Sequence, residues 1–140
     1  MVLVAVCSAQ EQRPYTVLPA SEARQVFVTF NGRSAKADDG WTPQKADIDS
    51  LEAHLDEIAK LKPQCCVPKI ADAHSSYRQY VGIVVGGRRL IYVNAFAPGL
   101  VPKDWQSRLV IVFDGGGAYW RVAFDPATAS FSDLETNGFG

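Results

Sequence analysis

No stretch of this 140-residue chain approaches the roughly 18 to 20 consecutive apolar residues that a membrane-spanning helix needs. An excess of charge of one sign is also missing, since 14 Lys and Arg against 15 Asp and Glu leave a formal net charge of -1. No run of Lys and Arg is interleaved with aromatics, so nucleic acid is not an expected partner. Cysteine and histidine are scarce, at three and two. The chain is nonetheless long enough to bury roughly 65 to 70% of the surface its unfolded form exposes, so neither a disulfide framework nor a metal is required for folding.

The cysteines that are present fall in two places. Residues 1–7 form an apolar run ending in Cys7-Ser8-Ala9, small residues suited to cleavage before Gln10, so residues 1–9 read as the tail of an export signal. The other reading is an N-terminal strand. Leu3-Val4-Ala5-Val6-Cys7 approximates a lipobox, but Val6 is bulkier than the residue expected before a lipidated Cys, which favours export without an anchor. Cys65 and Cys66 are adjacent: they can bond to each other through an eight-membered ring, pair between chains or stay reduced. A Zn site with His74 lacks the spacing that lets two thiolates converge, so no metal is expected.

Residues 10–140 read as one α+β domain. "QVFVTF" at 25–30 reads as a strand, Asn31-Gly32 as a turn and "RSAKADDG" as a loop, with Asp38, Asp39 and Gly40 in a solvated turn rather than a Ca2+ loop. Thr42-Pro43 supplies a cap, and the helical pattern then runs to Pro63. Ile48, Leu51, Leu55, Ile58 and Ala59 share one stripe. His54 sits at its edge as a core-boundary residue, while Glu52, Asp56 and Glu57 read as a solvated face. Strands are expected at 77–85, 90–96, 108–113, 118–124 and 131–134. The fold class is therefore one long helix on a four- to five-stranded antiparallel sheet.

The hairpin "YVGIVVGGRRLIYVN" sets Gly86-Gly87 where a type I' turn needs positive φ. Val85 then faces Arg88, Ile83 faces Leu90, Val81 faces Tyr92 and Gln79 faces Asn94. That nearly apolar face is the expected seat of the helix, and the reverse face, with Arg78, Tyr80, Ile91 and Val93, is expected to take the N-terminal segment or a second chain. Neither Gly86-Gly87-Arg88-Arg89 nor Asp114-Gly115-Gly116-Gly117 opens a helix, so neither reads as a phosphate cradle. Arg88 and Arg89 read as solubilising flanks on opposite faces. Two amides opposed on an apolar face, Gln79 and Asn94, either satisfy one another or orient a ligand or loop. Tyr80, Tyr119, Trp120 and Arg121 are the types that anchor interfaces and form the candidate binding surface; the other reading is that Trp120 is core and the tyrosines rim it.

The order strand, helix, antiparallel strands resembles the cystatin fold and, more loosely, the NTF2-like fold. Cystatins place a Gln-Val-Val-Ala-Gly hairpin tip in a protease cleft; this chain has Ile83-Val84-Val85-Gly86-Gly87 there, and no Pro-Trp in the following hairpin. The strings Arg78-Gln79-Tyr80-Val81-Gly82, Ile91-Tyr92-Val93-Asn94-Ala95-Phe96, Asp114-Gly115-Gly116, Trp120-Arg121-Val122 and Asn137-Gly138 resemble a set of small exported bacterial proteins with no assigned activity, which implies an envelope location. Enzyme candidates are His74 with Ser75, Ser76 or Cys66, the acids Asp72 and Asp114, and His54 or Tyr92 in an NTF2-like cavity. The leading expectation is an exported binding domain, periplasmic or secreted, without cofactor or catalytic residues. Its partner is a protein or a small ligand, and a homodimer is open.

Overall fold

A computed structural model describes residues 14–30 and 33–139. The export-signal reading of residues 1–9, with Cys7, and the Asn31-Gly32 turn lie outside the described residues. The chain runs β1 (Tyr15–Val17), β2 (Phe27–Phe30), β3 (Arg33–Lys36), β4 (Asp39–Trp41), α1 (Lys45–Ala53), β5 (Tyr77–Val85), β6 (Arg88–Phe96), β7 (Tyr119–Asp125) and β8 (Ser130–Thr136). Among the described residues three 3-10 segments, Ala20–Gln25, Leu55–Lys60 and Gly116–Ala118, lie between them; the last is a single short turn that begins in the Asp114-Gly115-Gly116-Gly117 stretch, where no helix is expected. The fold is α+β. Among the described residues, no helix is long and apolar enough to cross a membrane.

The main sheet has six strands in the order β1-β5-β6-β7-β8, with β4 also on β5. It is mixed rather than purely antiparallel, because β1 runs parallel to β5, pairing Tyr15 with Arg78 and Val17 with Tyr80. Residues 33–36 and 39–40, expected as loop, lie in strands: β3 pairs with β2, and β4 pairs Asp39 with Val84. Short polar sequences of this kind carry little alternation, and their pairing comes from the neighbours they meet. The β5–β6 hairpin has the expected register, from Val85 opposite Arg88 to Tyr77 opposite Phe96. Gly86 and Gly87 turn it with φ of 58° and 77°.

The helical stretch docks on the sheet but is shorter and less regular than its sequence pattern. Gln44, not Thr42, is the N-cap, its amide donating to Asp47 Oδ2 at 2.8 Å. The α-helix stops at Ala53, and 3-10 geometry continues to Lys60. Eclipsed positions three apart in that geometry let Leu55 and Ile58 both face the sheet. They join Ile48 and Leu51 in one core with Tyr80, Ile91, Val93, Ala95, Trp120, Val122 and Phe124.

This is the face opposite to the one expected. The face of Val81, Ile83, Leu90 and Tyr92 is covered instead by Leu18, Ala23, Val26 and Ala37. Both faces are apolar along the hairpin, so alternation could not choose between them. The buried polar groups could. Arg78 faces the helix, where Glu52 meets it at 3.2 Å, whereas Gln79 and Asn94 face the other way and bond an irregular segment.

Gly82 marks the closest approach in the sheet, since a Cβ there would stand 2.0 Å from the carbonyl oxygen of Trp41. Gly82→Ala is therefore expected to push β4 off β5 and lower unfolding free energy in urea by about 3 kcal/mol. Among the described residues, nothing lies within 4 Å of a Cβ added at Gly87. Gly87→Ala should cost only the positive-φ strain, about 1 kcal/mol.

Candidate functional site

Residues 105–114 cross the face of the sheet that the helix does not cover. Expected as a strand from 108 to 113, this stretch joins no backbone ladder among the described residues. Its partners are side-chain amides in a row across the strands. Gln79 Nε2 donates to the carbonyls of Trp105 and Arg108, the latter at 2.6 Å, and Gln79 Oε1 accepts from Val110 N at 2.9 Å. Asn94 Nδ2 donates to Gln79 Oε1 at 3.0 Å and to Val110 O at 2.7 Å. Asn137 Nδ2 donates to Val112 O at 2.7 Å and Asp114 O at 2.9 Å. The carbonyls of 108, 110, 112 and 114 thus all turn inward, the period-two pattern of an extended chain.

The alternate residues point the other way. Leu109 N donates to Glu22 Oε2 at 3.1 Å. Among the described residues, the backbone amides and carbonyls of Ile111 and Phe113 make no hydrogen bond. Their side chains are 54% and 89% exposed. The segment is in effect a strand with one edge lashed down and the other open.

Beside it lies a groove of about 550 Å3, floored by Tyr92, Asn94 and Arg121. Residues 109–113, the run from Glu135 to Gly138, Cys65 with Cys66, and Gln25 with the 60% exposed Phe27 complete its lining. Arg121 Nη1 donates to Asn137 Oδ1, and its Nη2 lies 3.7 Å from Glu135 Oε2. Glu135 also accepts from the hydroxyl of Thr29. Burial raises the Tyr92 phenol above its usual range, the charge of Arg121 opposing and that of Glu135 adding to the effect. The groove is apolar at its rim and carries one neutralised ion pair at its floor.

The sequence-derived site residues separate in the structure. Tyr80 and Trp120 are 0% exposed and face the helix, so they belong to the core and not to a binding surface. Tyr119 is half-buried, and Arg121 alone of the four lines the groove. Gly86 N donates to Asp38 Oδ2 at 2.9 Å, Arg88 reaches Asp125 at 2.5 Å, and the Arg89 guanidinium stacks 5.4 Å from the Trp41 ring centre. That hairpin tip is a supported turn whose polar groups are engaged.

A second polar cluster is closed. The Arg78 guanidinium, buried among the carbonyls of Ala73 and Ser76, also bonds Tyr80 and Glu52, so Glu52 is a buried-pair partner and not part of a solvated face. Burial pushes the Tyr80 phenol up, with Arg78 opposing and Glu52 adding. The candidate catalytic groups do not converge. His74 Nε2 meets Asp56 Oδ1 at 2.6 Å in solvent, the Ser76 hydroxyl donates to Asp72 O under Trp120, and His54 Nδ1 bonds Ser50 O. Sequence reasoning missed Asn137, Glu135 and Glu52. The Asn-Gly pair after the last strand was the available signal for Asn137. Comparison with protein-family models, curated proteins and solved structures finds no match for the chain.

The two raised tyrosines set a pH limit. The fold favours their neutral form, so their contribution to stability is complete below the usual tyrosine value of about 10 and is lost as pH rises above it. Their phenolate absorbance should therefore appear together with unfolding, and Tyr92→Phe should move the alkaline unfolding midpoint upward. At the groove wall, Thr136 Oγ1 accepts from Cys66 N at 2.9 Å and Val67 N at 3.0 Å. Thr136→Val removes that acceptor and should cost about 2 kcal/mol in urea unfolding.

Proposed function

We propose that the protein is an exported, non-enzymatic binding domain that holds an extended apolar peptide along the open edge of residues 109–113. The observation that carries this is the pair of unbonded backbone units at Ile111 and Phe113, two residues apart, at the edge of the groove. An added strand satisfies such an edge, main-chain bonds supplying affinity and a neighbouring groove accepting alternate side chains. Phe27, Ile111 and Phe113 offer the apolar contact, and Arg121 with Glu135 gives a polar floor for one specific side chain.

The open form of the groove favours binding over cavity catalysis on an NTF2-like fold, where an enclosed titratable group would be expected. The helix packed on an antiparallel core supports a cystatin-like reading of the element order, although the parallel β1 and the lashed segment depart from it. Protease inhibition is not favoured, because the amide at the hairpin tip is engaged by Asp38. The disulfide between Cys65 and Cys66 supports an oxidising compartment, periplasmic or extracellular.

Peptides selected from a random display library against the full chain should be rich in alternating Val, Ile and aromatic residues. Ile111→Pro removes the free N–H without breaking any bond of the fold, and should weaken the selected peptides about tenfold or more. Ile111→Val should bind normally. Unchanged affinity in Ile111→Pro would contradict strand addition, and a co-purifying small molecule in the groove would favour the cavity reading.

A further inference from the structure

Cys65 and Cys66 are bonded to each other, both are exposed, and both line the groove. A cross-link stabilises a fold chiefly by closing a loop in the unfolded chain, and its effect grows with loop length. A bond between neighbours closes no intervening residue. It is therefore not a staple, and its place in the groove wall calls for another role.

The backbone around it is held without it. Thr136 donates to Cys65 O from its amide at 2.9 Å and from its hydroxyl at 2.7 Å, and the same hydroxyl accepts from the two following amides. Gln64 is tied at both ends, its amide to Leu134 O at 2.8 Å and its side chain to Asp133 at 2.8 Å. Gly138 passes beside the Cys66 side chain. Opening the bond thus leaves this part of the chain docked on β8 and changes only the two side chains that face the groove. An exposed disulfide is also open to attack by an external thiolate.

We propose that Cys65 and Cys66 form a thiol–disulfide exchange site that sets the affinity of the groove. The inference rests on the groove being the ligand site. The co-reactant is a dithiol. One of its thiolates attacks a sulfur of the pair, the bond between Cys65 and Cys66 breaks, and a mixed disulfide forms as the departing cysteine thiolate takes up a proton. The second thiol then attacks the reductant's own sulfur in that mixed disulfide and releases the other cysteine. Two electrons and two protons pass to the chain, and the dithiol becomes a cyclic disulfide. Closed, the two sulfurs make one fixed apolar patch of wall. Open, each side chain regains rotation that a ligand must freeze again, so binding weakens by about fivefold.

The probe is the apolar dye 1-anilinonaphthalene-8-sulfonate, titrated into the full chain prepared without reductant, then into the same chain in dithiothreitol, and again after reoxidation. Peptide mapping reports the state of Cys65 and Cys66 separately from Cys7, and far-ultraviolet circular dichroism reports the fold. The expected result is a closed pair that opens in dithiothreitol with the fold unchanged, dye binding about fivefold weaker when open and recovered on reoxidation. The double variant Cys65→Ser, Cys66→Ser should stay at the weak value in every condition, and Ile111→Asp should lower dye binding in both states. Free thiols in the chain prepared without reductant, a pair that resists dithiothreitol in the folded chain, or equal dye binding in both states would each overturn the exchange site while leaving the groove intact. Dye binding to neither state, or binding insensitive to Ile111→Asp, would overturn the groove reading and this inference with it.

Discussion

A row of polar side chains lies across one face of the sheet, perpendicular to its strands, and the architecture is arranged around satisfying it. Gln79 on β5 meets Asn94 on β6, and Arg121 on β7 meets Asn137 just beyond β8. Gln79, Asn94 and Asn137 are all buried, and buried amides without partners cost more than most packing defects. A helix cannot partner them, because its backbone groups are consumed along its own axis. An extended segment can, since every second residue offers a carbonyl at the right spacing. Residues 105–114 take that place, and the helix takes the opposite face.

The two faces consequently differ in kind. Against the helix, Arg78, Glu52 and Tyr80 satisfy one another beside large apolar side chains, with Glu52 partly exposed. On the other face, the polar row holds down a segment that uses only half of its own hydrogen-bonding capacity. What is left over faces solvent beside a groove with apolar rims and a disulfide wall. Structural demand on the inner edge thus leaves the backbone groups of Ile111 and Phe113 unbonded on the outer one.

Much of the fold was legible in the residues. The hairpin register followed from Gly86-Gly87 and the alternation on either side, and the apolar stripe through Ile48, Leu51, Leu55 and Ile58 correctly marked what docks on the sheet. The face it docks on was not legible, because both faces of the hairpin are apolar and the choice rests on where Arg78, Gln79 and Asn94 find partners far away in the chain. The sequence of residues 108–113 has the composition of a strand, and the chain there is extended. Its pairing with side chains instead of a backbone ladder has no local signature. Tyr80 and Trp120 leave two readings open for a related reason: residue types that anchor interfaces are also the largest available fillers of a core.

Amide hydrogen exchange in wild type and in Gln79→Leu tests the polar row most directly. The account predicts slow exchange at Val110 in the wild-type chain, and in the variant fast exchange confined to residues 105–114 while β5 to β8 remain protected. Rapid exchange at Val110 in the wild type, or unchanged protection there once Gln79 is replaced, would contradict it.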